Sequence, residues 1–446
     1  MNPAILHRYA VPVPRYTSYP TAPHFTPTVG ATTYAQWLRQ LAPGSALSIY
    51  VHIPFCNQLC WYCGCTTKAT QKYRPVADYM TALLEEIATV ADLVPPDCHT
   101  VHMHWGGGSP SILAPDDIRR LADAISSRFK RSPDAEFAVE VDPRHIDPER
   151  VAAFTAAGVN RVSVGVQDFD PAVQKAINRE QSVDMTRSVV STFRAAGVRS
   201  VNVDLVYGLP HQTRDSVERT IEEVIALAPD RIALFGYAHL PSRLPHQRLI
   251  ADDTLPDIAE RFAQANRAAN RLVAAGYVRV GLDHFARPED PLARGPVHRN
   301  FQGYTTDSAD ALLGLGASSI GRLPQGYVQN SPVTADYQRR VLAGDLATVK
   351  GRALTDDDRA RSLVIETLMC DLRFPAAELK HQFPAQAEEL IDEARTLLEF
   401  DADGLLQPDP LDIFHVTEKG RLFLRSICAC FDAYLGQGEA KHSVGV

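Results

Sequence analysis

Along the chain, stretches in which apolar and polar residues alternate are followed by stretches whose apolar residues recur every third or fourth position. Leu47-Ser48-Ile49-Tyr50-Val51-His52-Ile53 has the two-residue period of a strand with one buried face. Tyr79, Leu83, Ile87 and Val90 then mark a helix over about 76–94. The unit repeats. Strand 101–105 precedes a helix marked by Ile118, Leu121, Ile125 and Phe129, and strand 137–141 precedes a helix over 151–157. Strand 161–166 leads to helical stretches within 171–196, and strand 201–205 to a helix carrying Val217, Ile221 and Val224; residues 231–235 form a sixth strand. Strands alternating with helices predict an α/β chain with a parallel sheet and right-handed crossovers. Periodicity does not distinguish an open sheet from a barrel.

The two ends read differently. Residues 1–42 are rich in Pro, Thr and Tyr without a helical period, which predicts an extended arm. Beyond about Thr355 helical patterns dominate, over 361–370 and 385–398. A short strand pair follows (404–406 and 412–416), then a helix containing Leu422, Ile427 and Phe431. The expected organisation is an arm (1–42), a central α/β domain (43–350) and a mainly helical, winged-helix-like C-terminal domain (351–446). The wing carries no basic stripe, so packing or a lid role is expected of it rather than DNA binding.

Composition narrows the class. The 446 residues are 45% hydrophobic and 22% charged, with a net charge of -8 that argues against a general nucleic-acid partner. The first sixteen residues hold no apolar core of signal-peptide length, and no run is long enough to span a membrane, so a cytoplasmic protein is expected. Four of the eight cysteines (Cys56, Cys60, Cys63 and Cys65) fall within ten residues. Without a secretion signal, such a cluster favours metal or redox chemistry over disulfides.

Cys56-x3-Cys60-x2-Cys63 lies in the loop after the first strand. Three thiolates on one short loop can hold a 4Fe-4S cluster and leave its fourth iron open to the amino and carboxylate groups of a small molecule. Structural zinc is the competing reading; it prefers four ligands, usually as two pairs, and no second pair follows at the usual distance. Other candidate groups sit at or near strand ends, where a barrel would collect them. These are Gly106-Gly107-Gly108-Ser109, Glu140, Gln167, Arg179 and Asp204. Singly, each also reads as a turn or a satisfied structural pair, such as Glu140 with Arg179. Together, beside the cysteine loop, they suggest a ligand-binding rim.

With an aromatic residue, Tyr62, immediately before its last cysteine, the triplet resembles the signature of the radical S-adenosylmethionine superfamily. Further motifs resemble the oxygen-independent coproporphyrinogen III oxidases over nearly the whole chain. They include Pro14-Arg15-Tyr16-Thr17-Ser18-Tyr19-Pro20, Tyr50-Val51-His52-Ile53-Pro54-Phe55-Cys56, Cys63-Gly64-Cys65 and Glu140-Val141-Asp142-Pro143. Gly165-Val166-Gln167-Asp168-Phe169, Asn178-Arg179-Glu180-Gln181, Tyr237-Ala238-His239-Leu240 and Asn300-Phe301-Gln302-Gly303-Tyr304 follow in order.

The resemblance implies a partial (β/α)6 barrel as the catalytic domain, with Cys56, Cys60 and Cys63 binding the cluster and Cys65 outside it. It implies that Tyr50, Tyr62, Gly107, Gly108, Ser109, Glu140, Gln167, Arg179, Asp204 and Ala238 contact S-adenosylmethionine, and that Gln302 and Ile320 belong to a second molecule of it. Glu140 and Gln302 are also expected among the catalytic residues. The implied reaction is oxidative decarboxylation of two propionates of coproporphyrinogen III to give protoporphyrinogen IX, in haem biosynthesis, through a 5′-deoxyadenosyl radical. The implied partners are the porphyrinogen and a reductant protein such as flavodoxin or ferredoxin, with the enzyme a monomer. Arg15 and Arg287 are candidate anchors for the substrate carboxylates. The competing readings are a haem-carrying relative, a radical enzyme acting on another porphyrin, and a zinc-stabilised interaction protein.

Overall fold

The computed structural model describes residues 3–437; residues 1–2 of the expected arm and 438–446 of the expected C-terminal domain lie outside the described residues. The predicted strands form as β1 (Ala46–Ile53), β2 (His99–Gly107), β3 (Lys130–Val141), β4 (Arg161–Gln167), β5 (Ser200–Tyr207) and β6 (Arg231–Gly236). They lie side by side in sequence order and all run parallel. Helices between them start where the sequence supplies a cap. Asp147 accepts from the Arg150 amide, Ser182 from Met185, and Thr213 from Ser216.

Strand alternation sorts the side chains into two environments. Outward go Ile49, Val51, Trp105, Phe137, Val139, Val162, Val164, Val201 and Val203, all essentially buried. With Leu83, Ile87, Leu121, Phe154, Phe193 and Ile221 of the helices they make the main core. Inward go Ser48, Tyr50, His52, His102, His104, Glu136, Glu140, Arg161, Ser163, Asn202, Asp204 and Arg231. A barrel interior is usually filled by branched apolar residues. Here it is polar and opens into a cavity of about 1020 Å³.

Neither end of the six-stranded array closes on the other. Ala311–Leu315 pairs parallel to β1 and continues through the antiparallel strands Ile320–Leu323, Gly326–Asn330 and Thr348–Ala353. Beyond β6 lie His284–Ala286 and Val278–Val280, both antiparallel to their neighbours, giving twelve strands in this sheet among the described residues. Glu86 of the helix Arg74–Ala91 fastens the added strands to the core. Its buried carboxyl accepts from the Gly316 amide, Asn330 and the Tyr337 hydroxyl, each at 2.6 Å.

The C-terminal region contains the helices Asp356–Asp371 and Pro384–Glu399, the antiparallel pair Leu406–Asp409 and Ile413–Val416, and the short helix Leu424–Ala429. The arm departs from the expectation of an extended segment, because the helices Pro3–Tyr9 and Ala31–Arg39 flank its extended middle. That middle is tied down by Arg425, which donates to the carbonyls of Pro14 (2.8 Å) and Val13. Ile5, Leu6, Val13, Tyr16 and Tyr19 share one apolar core with Leu368, Leu390, Phe414 and Phe423. Tyr16 adopts a left-handed backbone (φ 48°) and is buried, while its neighbours Arg15 and Thr17 line the cavity.

Candidate active site

The cysteine loop leaves β1 through Phe55–Cys56, which pairs with Lys68–Ala69. Between these pairs it is held by contacts from distant segments. Trp61 N donates to the Ile177 carbonyl (2.9 Å), and the Asn178 amide donates to the Leu59 carbonyl (2.9 Å). Gln247 donates to the Tyr62 carbonyl (3.0 Å), while rings of His246 and His52 meet the carbonyls of Cys63 (2.7 Å) and Thr66 (2.9 Å). Cys56, Cys60 and Cys63 are free thiols and line one wall of the cavity.

Two guanidiniums approach the most buried of the three. Arg144 Nη2 and Arg179 Nη1 lie 3.4 and 3.5 Å from Cys60 Sγ and can donate to it. Both also bind Asp142, at 2.7 and 3.2 Å. Burial would raise the Asp142 carboxyl, but Arg179 and Arg144 outweigh it and hold the group well below the usual range. The Glu140–Arg179 pair, offered by the sequence as the alternative to a ligand rim, does not form. Arg179 belongs to Asp142, and Glu140 meets His104 Nε2 at 2.9 Å and accepts from the Gly107 amide at 3.2 Å.

The donor set fits an iron–sulfur cluster. Three unpaired thiols share one wall, and cationic groups stand ready to offset anionic sulfur. Among the described residues no three His, Cys, Asp or Glu side chains converge to hold a single metal ion. A four-iron cluster takes its thiolates on separate irons, so convergence on one point is not required of its ligands.

The thiols differ in acidity. The hydrogen bond from Cys65 lowers the Cys63 thiol against the effect of burial, whereas burial pushes Cys56 up to about 12. A thiol with a lowered value becomes thiolate at lower pH. Alkylation of the cluster-free protein, followed by peptide mass spectrometry, should therefore modify Cys63 at lower pH than Cys56. Cys56 should stay unmodified throughout the neutral range. Equal labelling of the two at pH 7 would contradict this difference.

Most of the other expected residues share the cavity wall: Tyr62, Gly107, Gly108, Ser109, Glu140, Gln167, Arg179, Asp204, Ala238 and Gln302. Tyr50 stands just behind, its hydroxyl 3.0 Å from His52 Nδ1 and its ring beside His104. Ile320 lies on an added inner strand, between Ala311–Leu315 and Gly326–Asn330, and is not part of this wall. Arg287 is also elsewhere, donating to the Pro229 carbonyl and stacking over Tyr277. Asp204 is held by Ser163 (2.6 Å) and Asn202 (2.8 Å) at the cavity surface. The glycines pack against protein on one side. A Cβ on Gly106 would meet the Glu140 carboxylate, one on Gly107 the His52 ring, and one on Gly108 the Phe55 carbonyl.

Sequence reasoning missed Arg144, Asn178, His246 and Gln247 as supports of the cysteine loop. Asn178 lies inside a quoted motif, and Arg144 directly follows another; both could have been singled out there. His246 and Gln247 lie six and seven positions past the motif ending at Leu240 and give no local signal of their own.

Similarity to known proteins agrees with this arrangement. Residues 50–224 match the model of the radical SAM superfamily, and residues 354–423 match that of the HemN C-terminal domain. An oxygen-independent coproporphyrinogen III oxidase of Bradyrhizobium diazoefficiens is 47% identical over 438 residues, covering 97% of each chain. One from Paracoccus denitrificans is 43% identical over 445 residues, covering 97% of this chain and 96% of the relative. The solved structure of coproporphyrinogen III oxidase HemN from Escherichia coli superposes with a TM-score of 0.90 at 38% identity, covering 97% of this chain and 99% of that one.

Proposed function

Because this chain belongs to the oxygen-independent coproporphyrinogen III oxidases of the radical SAM superfamily, we propose the following division of labour among its residues. The protein is an oxidoreductase that converts coproporphyrinogen III to protoporphyrinogen IX without oxygen, in haem biosynthesis. Its cofactors are a 4Fe-4S cluster and S-adenosylmethionine. Held by Cys56, Cys60 and Cys63, the cluster and S-adenosylmethionine would together supply a 5′-deoxyadenosyl radical able to abstract hydrogen from the β-carbon of a propionate.

Cys56, Cys60 and Cys63 hold the cluster. Arg144 and Arg179 offset its sulfur charge, and Cys65 stays outside the ligand set. Glu140 presents its carboxylate to the cationic part of S-adenosylmethionine, with Tyr50 behind it. Tyr62, Gly107, Gly108, Ser109, Gln167, Arg179, Asp204 and Ala238 complete that site. Gln302, across the cavity, and Ile320, on an added strand, serve a second molecule. The arm, through Arg15 and Thr17, helps shield the reacting space from water. The arm (1–42), catalytic domain (43–350) and C-terminal domain (351–446) act as one monomer in the cytoplasm, reduced by a flavodoxin- or ferredoxin-like donor. Among the described residues no helix is long and apolar enough to cross a membrane.

One observation carries this reading: the three thiols and the polar strand-end wall face a single cavity large enough for a tetrapyrrole beside a nucleoside cofactor. The test is anaerobic turnover by cluster-reconstituted protein with S-adenosylmethionine, a reductant and coproporphyrinogen III. The expected products are protoporphyrinogen IX and two 5′-deoxyadenosines per porphyrinogen. Nucleoside without porphyrin product would sink the substrate assignment.

A further inference from the structure

Nine arginines line the cavity against four carboxylates, those of Glu140, Asp142, Asp204 and Asp283. The imbalance is local. Arg179 is matched by Asp142, while Arg161 and Arg231 are matched by Glu136, with Asp290 also on Arg231. Away from the cysteine loop, Arg15, Arg261, Arg279, Arg299 and Arg425 gather around Asp283. They come from the arm, the helix Ile258–Ala274, the strands Val278–Val280 and His298–Asn300, and the helix Leu424–Ala429. Five separate segments therefore deliver positive charge to one region.

Part of this charge is committed to protein. Arg425 clamps the arm, and Arg261 donates to the Tyr237 carbonyl at 2.8 Å. Arg299 is different. Its side chain is 5% exposed and lies over the Tyr304 ring at 4.4 Å. One nitrogen donates to the Arg15 carbonyl, but its buried Nε and Nη1 have no hydrogen-bond partner, and Asp283 is 3.8 Å from Nη1. Arg279 Nε is likewise buried and unpartnered, while its Nη2 donates to the Leu282 carbonyl at 3.1 Å and its Nη1 lies 3.9 Å from Glu418. Buried guanidinium nitrogens left unpaired are costly, so a ligand that pairs them is strongly favoured. Burial, aided by Arg421 and Arg15 respectively, pushes Arg279 and Arg425 down to about 10.

We propose that Arg299 and Arg279, with Arg15 brought in by the arm, form a carboxylate basin that grips the propionates of coproporphyrinogen not undergoing reaction. The proposal rests on the porphyrinogen reading above. The reacting propionate must reach the cysteine end, so the remaining carboxylates of a tetracarboxylate lie elsewhere in the cavity. The basin is the part of the wall where buried guanidinium nitrogens of Arg299 and Arg279 have no hydrogen-bond partner, while Arg15 donates to the Gly236 carbonyl at 3.0 Å. Arginine suits the task because its planar fork binds a carboxylate through two parallel hydrogen bonds. The basin also makes the arm part of the substrate site, since Arg15 offers both its side chain and, to Arg299, its backbone carbonyl.

The test uses cluster-loaded wild type, Arg299→Gln, Arg279→Gln and, as a control outside the cavity, Arg287→Gln. Fluorescence titration compares coproporphyrin III with its tetramethyl ester, and turnover of coproporphyrinogen III gives KM and kcat. The expected result for Arg299→Gln is at least about 30-fold weaker binding of the tetracarboxylate, the lower range for losing a desolvated ion pair. Binding of the ester should not change, KM should rise much more than kcat falls, and S-adenosylmethionine affinity and Arg287→Gln should both match wild type. Unchanged tetracarboxylate affinity would overturn the proposal. So would equal weakening of acid and ester, which marks a structural role, or a selective loss of S-adenosylmethionine binding. If Arg299→Gln does not retain its cluster and melting temperature, Arg279→Gln decides by the same criteria. Carboxylate-dependent binding in a wild type that makes no protoporphyrinogen would sustain the basin and sink the reaction.

Discussion

Cys60→Ala protein should load no iron–sulfur cluster and should make 5′-deoxyadenosine only at background, a loss of more than about 10⁶-fold on the usual scale of enzymatic rate enhancement. Cys60 is the most buried of the three thiols, at 7% exposure, and both Arg144 and Arg179 reach its sulfur. Alanine removes a ligand and leaves two guanidiniums around Asp142 without the sulfur they face. Cys65 lies two positions past Cys63, where its backbone amide donates to the Cys63 sulfur (3.4 Å), and Cys98 is buried beside the Ala42 carbonyl in the core behind the sheet. Iron and sulfide analysis together with nucleoside release measures the effect. Cys65→Ala and Cys98→Ala should both keep the cluster, because neither thiol is among its ligands in this reading. Wild-type iron content in Cys60→Ala would refute the assignment of the triplet.

The cysteine loop was legible because its chemistry is local: three thiols and an aromatic residue lie within eight positions, directly after a strand whose alternation is unmistakable. The six central strands were legible for a related reason. Val162-Ser163-Val164 and Val201-Asn202-Val203-Asp204 each show one dry face and one polar face, and the polar face proved to be the cavity wall. Alternation could not choose ion-pair partners. Glu140 lies within β3 and Asp142 just past its end, and only that difference in position decides that Asp142 meets Arg179 while Glu140 stays with His104. The added strands were less visible. Ala311-Leu312-Leu313-Gly314-Leu315 is buried throughout, so no polar residue reveals its period. The arm's helices are short, and most of their stability comes from tertiary packing, which periodicity does not show. The arginine basin was out of reach for the same reason. Its members are separated by up to 284 positions along the chain, from Arg15 to Arg299, and only the fold brings them together.

Gly107→Ala should damage both stability and activity, although it adds a single methyl group. Gly107 has φ 107°, a region that favours glycine, and a Cβ there would lie 2.5 Å from His52 Nδ1 and 2.6 Å from its Cε1. The His52 ring cannot swing aside freely. Nδ1 meets the Tyr50 hydroxyl at 3.0 Å, and Nε2 meets the Thr66 carbonyl at 2.9 Å, in the loop that carries the cysteines. The backbone conformation costs about 1–2 kcal/mol, and the overlap adds about 1–3 kcal/mol typical of overpacking. Relieving the overlap means moving either Tyr50 or the cysteine loop. A displacement of about 1 Å at a reacting centre costs on the order of 100-fold in rate. Gly44→Ala separates the two contributions, since Gly44 also has a positive φ (79°) but no atom within 4 Å of a Cβ. It should show the backbone cost alone, with normal S-adenosylmethionine cleavage. Adding His52→Ala to Gly107→Ala removes the overlap and should recover part of the melting temperature, but not full activity, because the Thr66 anchor is lost with the ring. If Gly107→Ala matched Gly44→Ala in both melting and cleavage, the His52 contact would not be what fixes the glycine, and its place in the cofactor wall would need another cause.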